Sequence, residues 1–357
     1  MPKTYHHLFD QIDTFAALLV AYQRARRGKR GRSDVATFEL HYEDHLHALA
    51  AELKAGRYQP GGYRTFVVRD HGKRRAISAA PFRDRVVHHA LCAVLEPIWE
   101  PRFIHDSYAS RPGKGTHQAI HRAQHFARGY RYVLSLDVEQ FFPAIDHAIL
   151  LHTLRHHVRD ERVMQLIEQI VANGASISQQ QYRMTWFAGD DLLAGLRPRG
   201  LPIGNQTSQF WANVYLHPLD MFIKQHLHAG GYVRYCDDML LFADDAATLH
   251  TWTQAIVEYA AEHLRLHLHE NRAHPAPTAT GTSFLGWRIF PFRRRLKRRN
   301  VIALMRRQRQ YHRAYQARTL SLAQWQQRLQ SWISHAAHGN THALRTSLLY
   351  DRIIAPA

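Results

Sequence analysis

Cysteine is scarce in this chain: 357 residues contain two, Cys92 and Cys236. Two thiols make no disulfide framework, and both are expected to be reduced in a cytosolic protein. Long apolar runs are missing as well. No stretch approaches the roughly 18 residues that a membrane helix needs, and the opening segment MPKTYHHLFD has no apolar signal core. A cytoplasmic protein without a membrane partner is expected. Acids are the third shortage: 29 Asp and Glu stand against 47 Lys and Arg, a formal net charge of +18. The deficit is concentrated at one end. From Asn271 onward a single acid, Asp351, faces 16 Lys and Arg, whereas residues 1 to 270 hold 28 acids and 31 bases. Solvated faces usually mix signs. A basic C-terminal module on a nearly neutral body is the pattern of a clamp for a polyanion, nucleic acid before anionic membrane.

What is present is enough for two or three packed units, with 45% hydrophobic residues and no internal repeat or low-complexity tract. Residues 14 to 22 read as a helix leading into RARRGKRGR, a basic loop or flexible arm from Arg24 to Arg32. YRTFVVRDHGKRRAISAA reads as a hairpin turning at Asp70-His71-Gly72. A helix follows at FRDRVVHHALCAVLEPIWE, then a Gly-rich loop, SRPGKGTHQAI. YVLSLDV, Tyr132 to Val138, is a strand by composition, followed by a helix from about Asp146. A long helix runs on from GNQTSQFWANVYL, and Tyr232 to Phe242 gives strand, tight turn, strand. Asp244 or Asp245 can cap the next helix, to about Leu264. LRLHL and SFLGWRIF look like strands, and the chain beyond Arg293 looks all-helical, with Asn300 and Ser321 as caps and Gly339 as a stop. Strand, helices, hairpin, helix, strand is the order of a ferredoxin-like split β-α-β sheet.

Three acids stand out within this pattern. Asp137 ends the first strand, and Asp237 and Asp238 sit in the hairpin YVRYCDDMLLF among Val233, Tyr235, Met239 and Leu240. Carboxylates in apolar surroundings are costly unless a positive partner offsets them. A ferredoxin-like sheet can bring the first strand beside the hairpin, so the three acids can meet at one edge. Clustered carboxylates are hard oxygen ligands suited to Mg²⁺ or Mn²⁺. Two such ions about 3.5–4 Å apart can activate a hydroxyl and stabilise a leaving pyrophosphate. Read alone, Asp237-Asp238 could equally be an acidic turn. Two superficial alternatives fail on spacing. GKGT at Gly113 to Thr116 has Gly115 where a P-loop needs Ser or Thr, and HENRAH places its second His one residue too late for a zinc-protease helix.

At these residues the chain resembles reverse transcriptases. YCDD resembles their YxDD box, and LSLDVEQFFPAIDH is similar to the first palm motif. RGLPIGNQTSQFWANVYL resembles the glycine turn feeding the next palm helix, and SFLGWRIF the primer grip. GKRRAISAAPFRDRVVHHAL and DSYASRPGKGTHQAI resemble the finger motifs of retron and group II-like bacterial enzymes. The motifs stand in family order over roughly residues 60 to 340. The form IGNQTSQ, with Ser208-Gln209 where most of the family has Ser-Pro, is similar to reverse transcriptases of diversity-generating retroelements. Compact phage-defence enzymes are the neighbouring alternative.

The resemblance implies an α+β right-hand polymerase: fingers from 1 to 130 with an insertion near 155 to 200, a ferredoxin-like palm over most of 131 to 292, and a basic helical thumb over 293 to 357. It implies Asp137 and Asp237 as main ligands of Mg²⁺ or Mn²⁺, with Asp238 supporting and the Val138 carbonyl as a further ligand. Phe142 would exclude a 2′-hydroxyl, with Phe141 packed inside because strand neighbours face opposite sides. Lys73 and Arg75 would bind the triphosphate of a dNTP, and Gly204 and Gln209 would line the nucleotide and template base. The partners implied are a template RNA, the RNA–DNA duplex and a small basic accessory protein. Where the family often has a proton-donating lysine, this chain offers Arg272, whose pKa above about 12 makes it a poor donor. His269 and His274 are the nearby substitutes. Loss of a catalytic acid would mark a non-catalytic RNA-binding protein of the same fold, and none is lost. An RNA-templated RNA polymerase is disfavoured by Phe142.

Overall fold

The computed structural model describes residues 3–70, 73–179, 181–269 and 273–349, with the side chains of 69, 70, 73–75, 176, 178, 179 and 349 outside that description. The chain begins with three helices, α1 (Phe15–Arg26), α2 (Ser33–Leu40) and α3 (Tyr42–Lys54). Thr14 caps α1 by accepting from the Ala17 amide at 3.2 Å. Leu18, Leu46 and Leu49 are fully buried, and Tyr22 stacks on Tyr42. The basic run is not a loose arm. Arg24 to Arg26 complete α1, the following turns close through Lys29 N–H to Arg26 O (2.9 Å) and Arg32 N–H to Lys29 O (3.0 Å), and Arg26 and Arg30 both pair with Glu39 of α2. These cations at a helix corner find their carboxylate on the next helix, a pairing that local sequence does not disclose.

The hairpin of β1 (Arg64–Asp70) and β2 (Lys73–Ala79) pairs from Arg64↔Ala79 to Asp70↔Lys73, so its turn falls on His71 and Gly72, outside the described residues. Phe66, Val67 and Val68 are exposed, which marks a two-stranded ribbon standing off the body. Next come α4 (Phe82–Trp99), packed on α1, and α5 (Thr116–Gly129).

The central sheet follows. β3 (Tyr132–Leu136) leads through α6 (Phe141–Ala144), α7 (His147–Arg155), α8 (Glu161–Gln179) and α9 (Gln206–Met221) to the hairpin β4 (Gly231–Tyr235) and β5 (Asp238–Ala243). Then α10 (Ala246–Leu264) returns the chain to the two-residue β6 (Ala276–Pro277). The order β4-β5-β3-β6, antiparallel throughout, is the ferredoxin-like one. Alternate residues serve two cores. Leu134, Leu136, Tyr232, Met239 and Leu241 join the core shared with α9 and α10, while Val133, Val233, Leu240 and Phe242 join that of α5. A sheet covered on both faces explains why the hairpin reads as unbroken apolar sequence. The helix expected from about Asp146 begins there, capped by Asp146, which accepts from Ala148 N–H (2.9 Å) and Ile149 N–H (3.2 Å); of the two candidate caps Asp244 and Asp245, Asp245 caps α10, accepting from Thr248 N–H (2.7 Å). The LRLHL strand reduces to one bridge, Val138↔Leu268.

The C-terminal part departs from expectation in three places. SFLGWRIF is two strands, β7 (Thr282–Phe284) and β8 (Trp287–Ile289), turned by Leu285 (φ 45°) and Gly286 (φ 85°). A further strand, β9 (Arg294–Leu296), pairs with β8 before the helices α11 (Arg298–Gln316), α12 (Leu322–Ala337) and α13 (His342–Leu349), so the chain beyond Arg293 is not all-helical. Asn300 lies inside the first turn of α11, where Lys297 holds the cap position, and its amide instead donates to the Gly286 carbonyl at 3.0 Å. Ser321 does cap α12, in a capping box with Gln324.

Candidate active site

The three acids are placed by strand register. The last β3–β5 pair is Leu136↔Met239, and the last β4–β5 pair is Tyr235↔Asp238. Asp137 comes one residue after Leu136 and Asp238 one before Met239, so the same register carries both to one rim of the sheet. Asp237 stands beside them in the two-residue turn Cys236-Asp237. All three are half-buried, between the apolar sheet and solvent. Cys236 has φ 57°, a left-handed conformation uncommon outside Gly, Asn and Asp. Burial and the adjoining Asp237 charge push its thiol far above the ordinary range, so it is a neutral packing group.

Val138 is buried and lies opposite Leu268. Glu139 N–H donates to His267 O (2.8 Å) and His269 N–H to Asp137 O (2.9 Å). Hydrogen bonds on both sides of the Val138–Leu268 pair turn the Val138 carbonyl away from segment 267–269, toward the side on which β5 lies. Among the described residues no group of three or more His, Cys, Asp or Glu side chains forms a ready metal cage. The donor set nonetheless fits Mg²⁺, which keeps waters and takes one or two carboxylates together with substrate phosphates.

Phe141 and Phe142 do divide as inside and outside, but not as strand neighbours. Gln140 (φ 49°) breaks the strand direction and both rings belong to α6; Phe141 is buried in the core and Phe142 half-buried. The Phe142 carbonyl accepts from Leu201 N–H at 2.9 Å, which ties the RGLPIG segment to the rim. Gly204 has φ 121°, and a Cβ there would lie 2.9 Å from Ile77 Cγ2. It is required by the close approach of β2 as well as by the turn. Gln209 is exposed in the first turn of α9, where its Oε1 accepts from the Ser110 hydroxyl at 3.0 Å. That hydrogen bond joins the palm helix to the Gly-rich loop. Lys73 and Arg75 lie on β2, but their side chains fall outside the described residues, as does Arg272. His269 pairs with Glu139 at 2.8 Å, whereas His274 is exposed.

Residues 67–289 match the family described as reverse transcriptase (RNA-dependent DNA polymerase). The chain belongs to the reverse transcriptase family. Similar proteins include YkfC of Escherichia coli K12, 28% identical over 52% of this chain and 47% of that one. The group II intron-encoded protein LtrA of Lactococcus lactis is 28% identical over 51% of this chain and 29% of that one. The chain thus spans about half of YkfC and less than a third of LtrA. Among solved structures, telomerase from Candida albicans, in complex with a fragment of telomeric RNA, aligns with TM-score 0.46 and 10% identity over 69% of this chain and 46% of that one. Apo telomerase from Candida tropicalis aligns with TM-score 0.48 and 10% identity over 66% and 55%. Among the described residues of this reverse transcriptase, no helix is long and apolar enough to cross a membrane.

Sequence reasoning missed one part of the site. Within the β4–β5 hairpin, Arg234 of β4 is fully buried against Asp220 of α9, with Nε and Nη2 donating to the two carboxylate oxygens at 2.8 and 2.6 Å. Tyr232 donates to Asp220 at 2.8 Å, and Arg234 Nη1 to Asn213 Oδ1 at 3.1 Å. The available signal was a lone arginine in an otherwise apolar strand.

Proposed function

We propose that the chain is an RNA-directed DNA polymerase that extends a primer with dNTPs on an RNA template. The observation that carries this reading is the register that sets Asp137 beside Asp237-Asp238 at the open rim of the sheet. In this reading Asp137, Asp237 and Asp238, with the Val138 carbonyl, hold Mg²⁺, for which Mn²⁺ can substitute. When bound, the metal supplies Lewis-acid activation of the primer hydroxyl and charge neutralisation at the phosphates. The half-buried Phe142 ring packs under the sugar and leaves no room for a 2′-hydroxyl. Lys73 and Arg75 on the β1–β2 ribbon neutralise the triphosphate, a task suited to a guanidinium that stays charged and binds bidentately. Gly204 and Gln209 bound the nucleotide and template base. Fingers, palm and thumb correspond to 1–130 with 155–200, 131–292 and 293–357, although β9 pairs across the last boundary. Asp237→Asn tests the assignment: extension of a DNA primer on RNA should vanish while RNA binding survives. Undiminished extension would overturn it.

The finer reading is error-prone copying of a template-repeat RNA in a diversity-generating retroelement, assisted by a small basic accessory protein. Its support is the IGNQTSQ form of the palm helix entry. Sequencing cDNA made from a defined RNA should show errors concentrated at template adenines. Faithful copying or untemplated repeats would favour the phage-defence alternative.

A further inference from the structure

The buried Arg234 reaches the catalytic turn itself. Its Nη1, besides meeting Asn213, donates to the Cys236 carbonyl at 3.0 Å. That carbonyl belongs to the peptide linking Cys236 to Asp237, and Cys236 holds the unfavourable φ of 57°. The same arginine is held from the other side. Its backbone N–H donates to Asp106 O and its carbonyl accepts from Tyr108 N–H, both at 2.9 Å. Asn213 in turn donates to the Ala109 carbonyl at 2.8 Å. One residue therefore touches α9, the turn before Asp237, and the segment that opens the Gly-rich loop.

A buried ion pair is weak evidence for a stabilising role, because well-packed apolar residues often serve as well. What apolar residues could not supply is a donor for the Cys236 carbonyl. Asp220 occupies Nε and Nη2 and so orients the planar guanidinium, leaving Nη1 aimed at the turn. We propose that Arg234 is a positioning residue: it sets the peptide plane before Asp237, and thereby the aim of that carboxylate at the metal, in register with loop 106–115. The inference rests on the assignment of Asp237 as a metal ligand. Mg²⁺ is the sensitive probe because it demands near-ideal octahedral geometry.

The test uses the full chain with a DNA primer on a defined RNA template. Single-nucleotide extension is followed across a Mg²⁺ titration and again with Mn²⁺. Arg234→Lys keeps the charge facing Asp220 but cannot also fork to Cys236. Its Mg²⁺ requirement should rise by about 10- to 100-fold, the usual effect of losing a group that orients a ligand. Mn²⁺ should recover part of the rate, and duplex affinity should stay unchanged. Unaltered Mg²⁺ dependence, or a rate loss that neither metal moves, would overturn the proposal. Should Arg234→Lys not fold, Asn213→Ala replaces it, since it frees Nη1 from its anchor and leaves the Arg234–Asp220 pair. The same shift, smaller, is expected there, and a folded Asn213→Ala protein with ordinary Mg²⁺ dependence overturns the proposal. Asp237→Asn separates the two assignments. If it is inactive while both positioning variants behave normally, only this inference falls; if it is active, the metal assignment falls first.

Discussion

The indole of Trp287 occupies the space that a side chain at Gly339 would need. Trp287 is fully buried in β8, and Gly339 follows α12, so this packing fastens the C-terminal helices to the strands at the edge of the palm. Gly339→Ala should therefore loosen this seam, at a cost of about 1–3 kcal/mol from overpacking. The expected readout is a lower melting temperature and faster proteolysis within α12, with dNTP discrimination unchanged. A variant as stable as the parent would show that the seam yields freely.

Phe142→Ala should open the space under the nucleotide sugar. The ring is half-buried, whereas Phe141 packs into the core, so folding should survive. The expected result is more rNTP incorporation relative to dNTP in a primer-extension assay. An unchanged ratio would remove the steric gate from Phe142.

Helix α11 carries Arg298, Arg299, Arg306, Arg307, Arg309 and Arg313, all exposed, and no acid. Affinity for an RNA–DNA duplex should fall steeply with salt. Arg306→Gln with Arg307→Gln should flatten the plot of log affinity against log salt by about 1 for each phosphate that is no longer neutralised. A salt response already flat in the parent would count against a thumb that grips phosphates.

Acid should weaken the docking of α12. His117 and His121 of α5 face His335 of α12 and His338 just after it, with Arg294 of β9 as the further cation and Trp287 against His335. His117 Nε2 and His335 Nδ1 are 3.1 Å apart. Burial first, and the neighbouring imidazoles and Arg294 after it, push His117 below its ordinary range; burial with Arg294 and His338 does so for His121, and burial with His338 for His335. These groups are neutral when docked and bind protons more readily when released. Docking is therefore fully favoured above the ordinary histidine pKa of about 6.5 and weakens as pH falls through it. Hydrogen exchange should show α12 losing protection between about pH 7 and 5.5, less so in His335→Gln. Equal protection across that range would exclude the effect.

Elements whose signals are local were legible in the sequence. Asp245 and Ser321 cap helices as expected, and the helix expected from about Asp146 starts there, because a cap needs amides two or three residues away. The palm order was legible because helix and strand periods alternate in a sequence that few sheets satisfy. Elements that depend on distant partners were not. Arg26 and Arg30 look like a free arm until α2 presents Glu39, and Asn300 looks like a cap until the β7–β8 turn arrives within 3.0 Å. SFLGWRIF reads as one strand because Leu285, a residue that avoids positive φ, occupies the turn.

Candidates for the chemistry were legible along the chain: Asp137, Asp237 and Asp238, Phe142 close to the first of them, and arginines gathered at the C-terminus against a single acid, Asp351. These are matters of residue type and order, written along the chain. How those residues are held depends on contacts between elements far apart in the chain. Register alone brings Asp137 to the hairpin across 100 residues, and Arg234, a lone charge in an apolar strand, reaches the carbonyl of Cys236 before Asp237. A charged side chain inside a strand is a cost until its partner is placed, and the partner, Asp220, lies on a helix that packs there only once the sheet is complete.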